Sequence, residues 1–218
     1  MPYIGTPPAS TGSVNTVNIA ENAVTGAKFN ADVISSQTAL ATEPADTDEF
    51  LLSDAGVIKR IDYSLIKATS PAFFAYLSAN QTLTNNARNK LLCNTETFDS
   101  GGQYDNSTNY RFTPTTAGKY YVFANCDIAS EGQGTVNWML NEIWKNGTSS
   151  SIRLYGYMDL RNNGGNGGNI IAAGVFDMDG SSDYIEFYSY PGLASGTPTA
   201  YGNATTPQTY FGAFKLGV

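Results

Sequence analysis

The stretch Tyr104 to Phe123, YDNSTNYRFTPTTAGKYYVF, constrains this chain more than any other. Tyr104, Tyr110 and Phe112 lie on a short aromatic segment. Thr113-Pro114-Thr115-Thr116-Ala117-Gly118 is a corner, because proline fixes φ and glycine admits φ > 0. Lys119-Tyr120-Tyr121-Val122-Phe123-Ala124 then supplies aromatic and β-branched residues that fit a pleated, half-buried surface. The pattern predicts a β-hairpin inside an all-β domain.

The same grammar continues on both sides. From Pro71 onward the pattern predicts strands at Phe73–Leu77, Lys90–Thr97, Asn109–Thr113, Gly118–Ile128, Thr135–Lys145, Ser151–Met158, Asn169–Phe176, Tyr184–Tyr190 and Thr209–Leu216. Turn pairs such as Asn146-Gly147 and Asp179-Gly180 punctuate them. Strands at this close, regular spacing argue for a sandwich.

Composition agrees. Only 14% of the 218 residues are charged, while Gly, Asn, Thr, Ser and Tyr abound; short strands and polar turns suit that mix better than long helices. A net charge of −7 offers no basic stripe to neutralise phosphates, so no nucleic-acid partner is expected. No apolar run reaches the roughly 20 residues of a spanning helix, so no membrane insertion is expected. MPYIGTPPAS has neither the basic nor the apolar region of a secretory signal; work outside a cell would need another route.

Chemistry-bearing motifs are few. Histidine is absent, which removes the usual general base, metal ligand and near-neutral pH switch. Cys93 and Cys126 sit in apolar segments and read as small buried side chains, a disulfide being the alternative. Asp177-x-Asp179-Gly180-x-x-Asp183 begins like a calcium loop but lacks the later bidentate Glu and flanking helices of an EF-hand. It reads as a polar turn, and no metal is expected. Asn80-Gln81-Thr82, Asn106-Ser107-Thr108, Asn146-Gly147-Thr148 and Asn203-Ala204-Thr205 read as turn residues rather than glycosylation acceptors. Trp138, Trp144 and Arg153-Leu154-Tyr155 alternate along strands, as sheet-face packing requires. Glu131, Asp159 and Asp183 have no supporting motif as a glycan-cleaving pair, so no catalytic residue, cofactor or enzyme activity is expected.

The first seventy residues differ. Residues 1–20, with Pro2, Pro7, Pro8, Gly5 and Gly12, read as extended: either a disordered tail or a docking peptide. Residues 21–70 read as a stem: residues 17–42 alternate small apolar and polar side chains, and residues 43–67 carry a hairpin signal across Asp54-Ala55-Gly56, about residues 49–63. One two-stranded hairpin is marginal in water. Three copies around an axis would bury Phe50, Leu52, Val57, Ile58 and Ile61. "NIAENAVTGAKFNADVI" and "DTDEFLLSDAGVIKRIDYSLIK" resemble stem segments of tailed-phage fibre proteins.

Residues 71–218 resemble the globular heads of the complement C1q/tumour-necrosis-factor family. Asp99, Tyr104, Phe112, Gly118 and Tyr120 match that family's signature in order. Cys93 stands where it has Phe, one extra residue separates Tyr104 from Phe112, and Val122 replaces an aromatic. Gly180–Phe187 and Tyr210–Leu216 resemble two further family strands. The resemblances imply a jelly-roll knob on a thin trimeric stem, a homotrimer. They also imply a phage virion protein made in the host cytoplasm: a short tail fibre or spike, displayed on the tail or head surface. Residues 1–20, through Tyr3 and Ile4, would anchor it to a tail adaptor, nozzle or capsid protein. A purely structural head-decoration or tail fibre, and a bacterial secreted C1q-like lectin, are the alternatives.

Parity locates the binding end. In an antiparallel sandwich successive connections fall at opposite ends. Ala129–Gly134, Asp159–Gly168 and Pro191–Gln208 therefore share one end, and Asn146–Ser150 and Asp177–Asp183 the other. The C-terminus falls with the tight turns, where the family's stem enters. The long connections crowd the distal tip, and long connections are commonly functional. Arg161, Asn163, Asn166, Tyr188, Tyr190, Tyr201 and Asn203 are suited to stacking and polar contacts with a host surface receptor, a glycan being the candidate.

Overall fold

The computed structural model describes residues 32–66, 70–131, 135–150, 152–161 and 165–216. The chain divides into two compact units, Met1–Lys67 and Ala68–Val218. Tyr3, Ile4 and the rest of the expected anchor lie outside the described residues, as does Asn163.

In the first unit, a single helical turn, α1 (Asp32–Ser35), precedes a hairpin of β1 (Glu49–Asp54) and β2 (Val57–Asp62), followed by the turn α2 (Tyr63–Ile66). Asp54 pairs with Val57, so Ala55 and Gly56 alone make the turn. Both have positive φ, 49° and 86°, the backbone that matches strand twist across a two-residue loop. The register corrects one expectation. Cross-strand partners share a face, and Phe50–Ile61, Leu52–Lys59 and Asp54–Val57 alternate with Leu51–Arg60 and Ser53–Ile58. Ile58 therefore lies on the face opposite Phe50, Leu52, Val57 and Ile61. The period of two, broken only by the short turn, imposes this. Both faces present apolar side chains to water: Phe50 and Val57 on one, Leu51 and Ile58 on the other.

Among its described residues the second unit carries thirteen strands in two sheets: β3 (Ala72–Tyr76), β4 (Gln81–Thr82), β5 (Asn89–Lys90), β6 (Thr95–Asp99), β7 (Tyr104–Asp105), β8 (Arg111–Phe112), β9 (Gly118–Glu131), β10 (Val136–Lys145), β11 (Arg153–Asp159), β12 (Gly167–Met178), β13 (Ile185–Leu193), β14 (Thr197–Ala200) and β15 (Tyr210–Lys215). One sheet runs β6-β3-β15-β9-β12, with β14 and β4 extending from the far half of β9; the other runs β11-β10-β13-β8-β7. All pairings are antiparallel, and chain neighbours repeatedly fall in different sheets. The expected jelly-roll sandwich is what this chain forms.

Signature residues build the core between the sheets. Phe73 stacks on Tyr104 and on Phe112, each at 4.6 Å between centroids, and meets Phe211 edge-on at 5.0 Å. Phe112 meets Tyr120 edge-on at 5.7 Å. The two buried hydroxyls find acceptors, Tyr104 on Cys93 O and Tyr120 on Thr116 O, as buried polar groups require. Asp99 accepts the Tyr104 N–H at 2.7 Å. Cys93 and Cys126 are buried and unbridged; burial pushes the Cys126 thiol up to about 12, so neither is a ready nucleophile.

Two expected segments differ. Lys90–Thr97 is not one strand, because the Gln81 side chain takes the place of a strand partner between β5 and β6: its Nε2 donates to Lys90 O and its Oε1 accepts from Leu92 N. Pro191–Gln208 is not one long loop. β13 continues through Pro191 to Leu193 against β10, the chain crosses between sheets at Gly196 (φ 83°), and β14 joins β9. Burial of Leu193, Pro198 and Ala200 stabilises both additions.

Candidate binding surfaces

Three surfaces of the second unit are candidates: the outward face of each sheet and the end where the longer connections gather.

On the β3-β15-β9-β12 sheet, three rows run across the strands. They read Tyr76–Tyr210–Asn125–Ile171, Phe74–Gly212–Phe123–Ala173 and Ala72–Phe214–Tyr121–Val175. Asn125 is the sole amide, and no charge interrupts them. Rings touch their neighbours: Phe74–Tyr210 and Tyr121–Phe214 at 5.5 Å, Phe74–Phe123 and Tyr121–Phe123 at 6.2 Å. A Cβ on Gly212 would stand 2.6 Å from the Phe123 ring, so glycine is what lets that ring lie across the strand. Ile171 remains 56% exposed and Phe214 44%. The exposed ion pair Lys119–Asp177 borders the rows at one end.

The opposite sheet turns out a different set. Its rows are Asp159–Trp138–Gly192, Tyr157–Leu140–Tyr190, Tyr155–Glu142–Tyr188–Lys90 and Arg153–Trp144–Glu186–Arg111. Glu142 is fully buried, held by Arg88 at 2.8 Å and by Arg153. Arg88 lies 5.3 Å from the Trp144 ring and 5.4 Å from that of Tyr190, while Arg153 lies 5.1 Å from Trp144 and 5.0 Å from Tyr155. Lys90 pairs with Glu186, which also accepts from the Tyr188 hydroxyl. Burial first, and Glu186 second, raise the Tyr188 hydroxyl far above the usual phenol range. These charges and rings satisfy one another.

At the end where the longer connections gather, hydrogen bonds join them to one another. Ser130 donates to Asn166 O, Val136 to Gly165 O, Ala194 to Thr135 O, and Ser130 Oγ to Ser195 O. Tight turns occupy the opposite end with the C-terminal strand: Asn146 exchanges bonds with Asp183 and Tyr184, and Lys215 N donates to Pro71 O. The Asp179 carboxylate accepts three backbone N–H groups and the Ser182 hydroxyl. Its oxygens are spent closing that turn.

The seven predicted receptor residues separate. Tyr188 and Tyr190 are not in a distal loop. They lie within β13, half-buried on the charged sheet face, because that strand runs on to Leu193. Arg161 and Asn166 are exposed on the β11–β12 connection. Two hydrogen bonds from Nε tie Arg161 to Asp159, at 3.0 and 3.1 Å, and lower that carboxyl to about 2. Tyr201 and Asn203 form another group beside the end of β3: Tyr201 N donates to Asp127 O, and Asn203 N to Leu77 O. Sequence reading missed Arg88, Glu142 and Arg111. Alternation along β10 was the available signal, since it puts Glu142 between two outward tryptophans.

No protein-family model and no curated protein matches this chain. Among solved structures it is similar to crystal structures of murine APRIL at pH 5.0 and pH 8.0. Each is 12% identical with a TM-score of 0.45, and the match covers 68% of this chain and 100% of theirs. The jelly-roll assignment rests on strand order and register rather than on that likeness.

Proposed function

We propose that this chain is a virion structural protein of a tailed phage, a short homotrimeric fibre or spike whose β-rich unit adheres to a glycan on the host surface. The observation that supports it most is the uncharged aromatic face of the β3-β15-β9-β12 sheet. A lone soluble chain rarely leaves a continuous apolar patch in water. The β1–β2 hairpin makes the same demand on both its faces. Packing of copies would remove both surfaces from water, and that exclusion would drive assembly. Three sites on one trimer then act together through effective concentration, which makes weak contacts adhesive. The stem's resemblance to phage fibres supplies the setting. In it residues 1–20 attach to other virion proteins, and the chain is made in the host cytoplasm.

Sedimentation equilibrium of the full-length protein at micromolar concentration is the direct test. Three chain masses are expected, and a folded lone chain overturns the assembly. Immunogold labelling of purified particles tests the setting, and unlabelled particles overturn it.

A further inference from the structure

We propose that the cleft beside β7 and β8 binds one neutral pyranose ring of a glycan. The ligand class rests on the adhesive reading above, but the place does not: this cleft is remote from the distal connections, alongside the Thr113–Gly118 corner.

The cleft holds about 290 Å³ and is lined by Gln103, Asp105, Asn109, Arg111, Thr113 and Thr115, with the backbone of Gly101 and Gly102. That volume is at the small end for ligand cavities and suits a single ring. Arg111 has no carboxylate or hydrogen-bond partner among the described residues; its guanidinium sits 4.3 Å from the Tyr184 ring centroid. Asp105 is its cross-strand neighbour, yet that carboxylate is already engaged. It accepts from Ser107 N at 3.0 Å, Thr108 N at 2.8 Å and Asn109 Nδ2 at 2.7 Å. Gln103 is tethered through Nε2 to Thr115 Oγ1 at 3.0 Å, and its Oε1 is shielded from solvent with no partner among the described residues. Tyr110, between two lining residues, has φ 49°, a costly backbone for an aromatic residue and one that collects at binding sites.

These features select the ligand class. One cation and one anion cancel, so a charged ligand gains little. Free guanidinium donors and threonine hydroxyls remain on the cleft surface. A ligand whose every group both donates and accepts matches that mixture, and a sugar ring is such a ligand.

Saturation-transfer NMR of the full-length protein with free glucose, galactose, mannose and N-acetylglucosamine tests the site. Transfer to at least one of these sugars is expected. Arg111→Ala should weaken it about tenfold, the worth of one lost charge-assisted hydrogen bond. Thr115→Trp, which alters an exposed rim residue, should block it with circular dichroism unchanged, and it decides the matter if Arg111→Ala fails to fold. Absence of transfer to every one of these sugars, or transfer unchanged in Thr115→Trp, overturns the site. A trimer that adheres to cells equally well with Thr115→Trp removes the cleft and leaves adhesion standing. A chain that binds sugar here but neither assembles nor adheres does the reverse.

Discussion

Phe123 lies over Gly212 on one sheet, and Trp138 lies over Gly192 on the other, where a Cβ would come within 2.6 and 2.1 Å of the rings. Both outward faces thus use the same device, an aromatic laid across a strand that has no side chain beneath it. What surrounds the ring differs. Around Phe123 are Phe74, Tyr121 and Tyr210, with no charge in the three rows. Trp138 meets Tyr190 edge-on and has Asp159 as its cross-strand neighbour, and further along the same face Arg88 and Arg153 lie over Trp144 and hold Glu142. The second face caps much of itself, with guanidinium groups over Trp144, Tyr155 and Tyr190 and its carboxylates paired. The first does not: its rings satisfy each other sideways and leave their outer surfaces to water. Aromatic content alone therefore does not mark a contact surface. Whether the rings already have polar caps does.

The contrast breaks most sharply at the uncapped face. Tyr121→Asp combined with Phe214→Asp should reduce the assembled mass to one chain in sedimentation equilibrium, since each carboxylate buried without a partner costs about 3–5 kcal/mol. An unchanged mass would mean that copies meet elsewhere. Next comes the capped face. Arg88→Ala with Arg153→Ala strands Glu142, which has no exposure, and should lower unfolding free energy in denaturant titration by about 3 kcal/mol. Adding Glu142→Gln should recover part of that loss, because the stranded charge is gone. A milder probe is acid. The usual carboxyl pKa is about 3.9. Burial would raise Asp183, but Lys145, Asn146 and the Asp179 N–H outweigh it, so its folded value lies lower; Asp105 is lowered by its turn N–H groups. Unfolding then takes up protons. The stabilisation is complete above about pH 4 and is lost as pH falls through the folded values. Thermal midpoints should drop across that window, and Asp183→Asn should flatten the drop. Smallest of all, Tyr155→Ala, at a ring 58% exposed on the capped face, should change stability by about 0.5 kcal/mol or less and leave the mass alone.

Much of the fold was legible because its signals are local. Pro114 and Gly118 mark a corner, and strand alternation places Tyr104, Phe112 and Tyr120 inward. Parity of connections also puts the C-terminus at the end with the tight turns, and the family resemblance implies that the chain enters there, where Pro71 meets Lys215. Less visible was anything that depends on which distant strands pair. β14 is four residues containing a proline, and it forms only because β9 is long enough to hold β15 along one half and β14 along the other. The division of the hairpin into two apolar faces depended on a turn of two residues rather than three. Tyr188 and Tyr190 look like the last residues of a strand beside the distal loops, until Pro191 is seen to continue that strand to Leu193. The Arg88–Glu142–Arg153 group joins the β10–β11 hairpin to a segment 54 residues before Glu142, and the cleft at Arg111 needs the fold to bring Tyr184 beneath it.

Pro71 N-terminal to β3 and the end of β15 lie side by side, joined by the bond from Lys215 N to Pro71 O. β3 runs inward from that point, between β15 and β6. Tension applied to the chain at Ser70, with the far end of the sandwich held, would act along the axis of β3. It would load the bonds on both flanks of the strand together, in shear, instead of opening them one after another like a zipper. An element entered this way resists mechanical extraction well beyond what the strength of any single bond suggests.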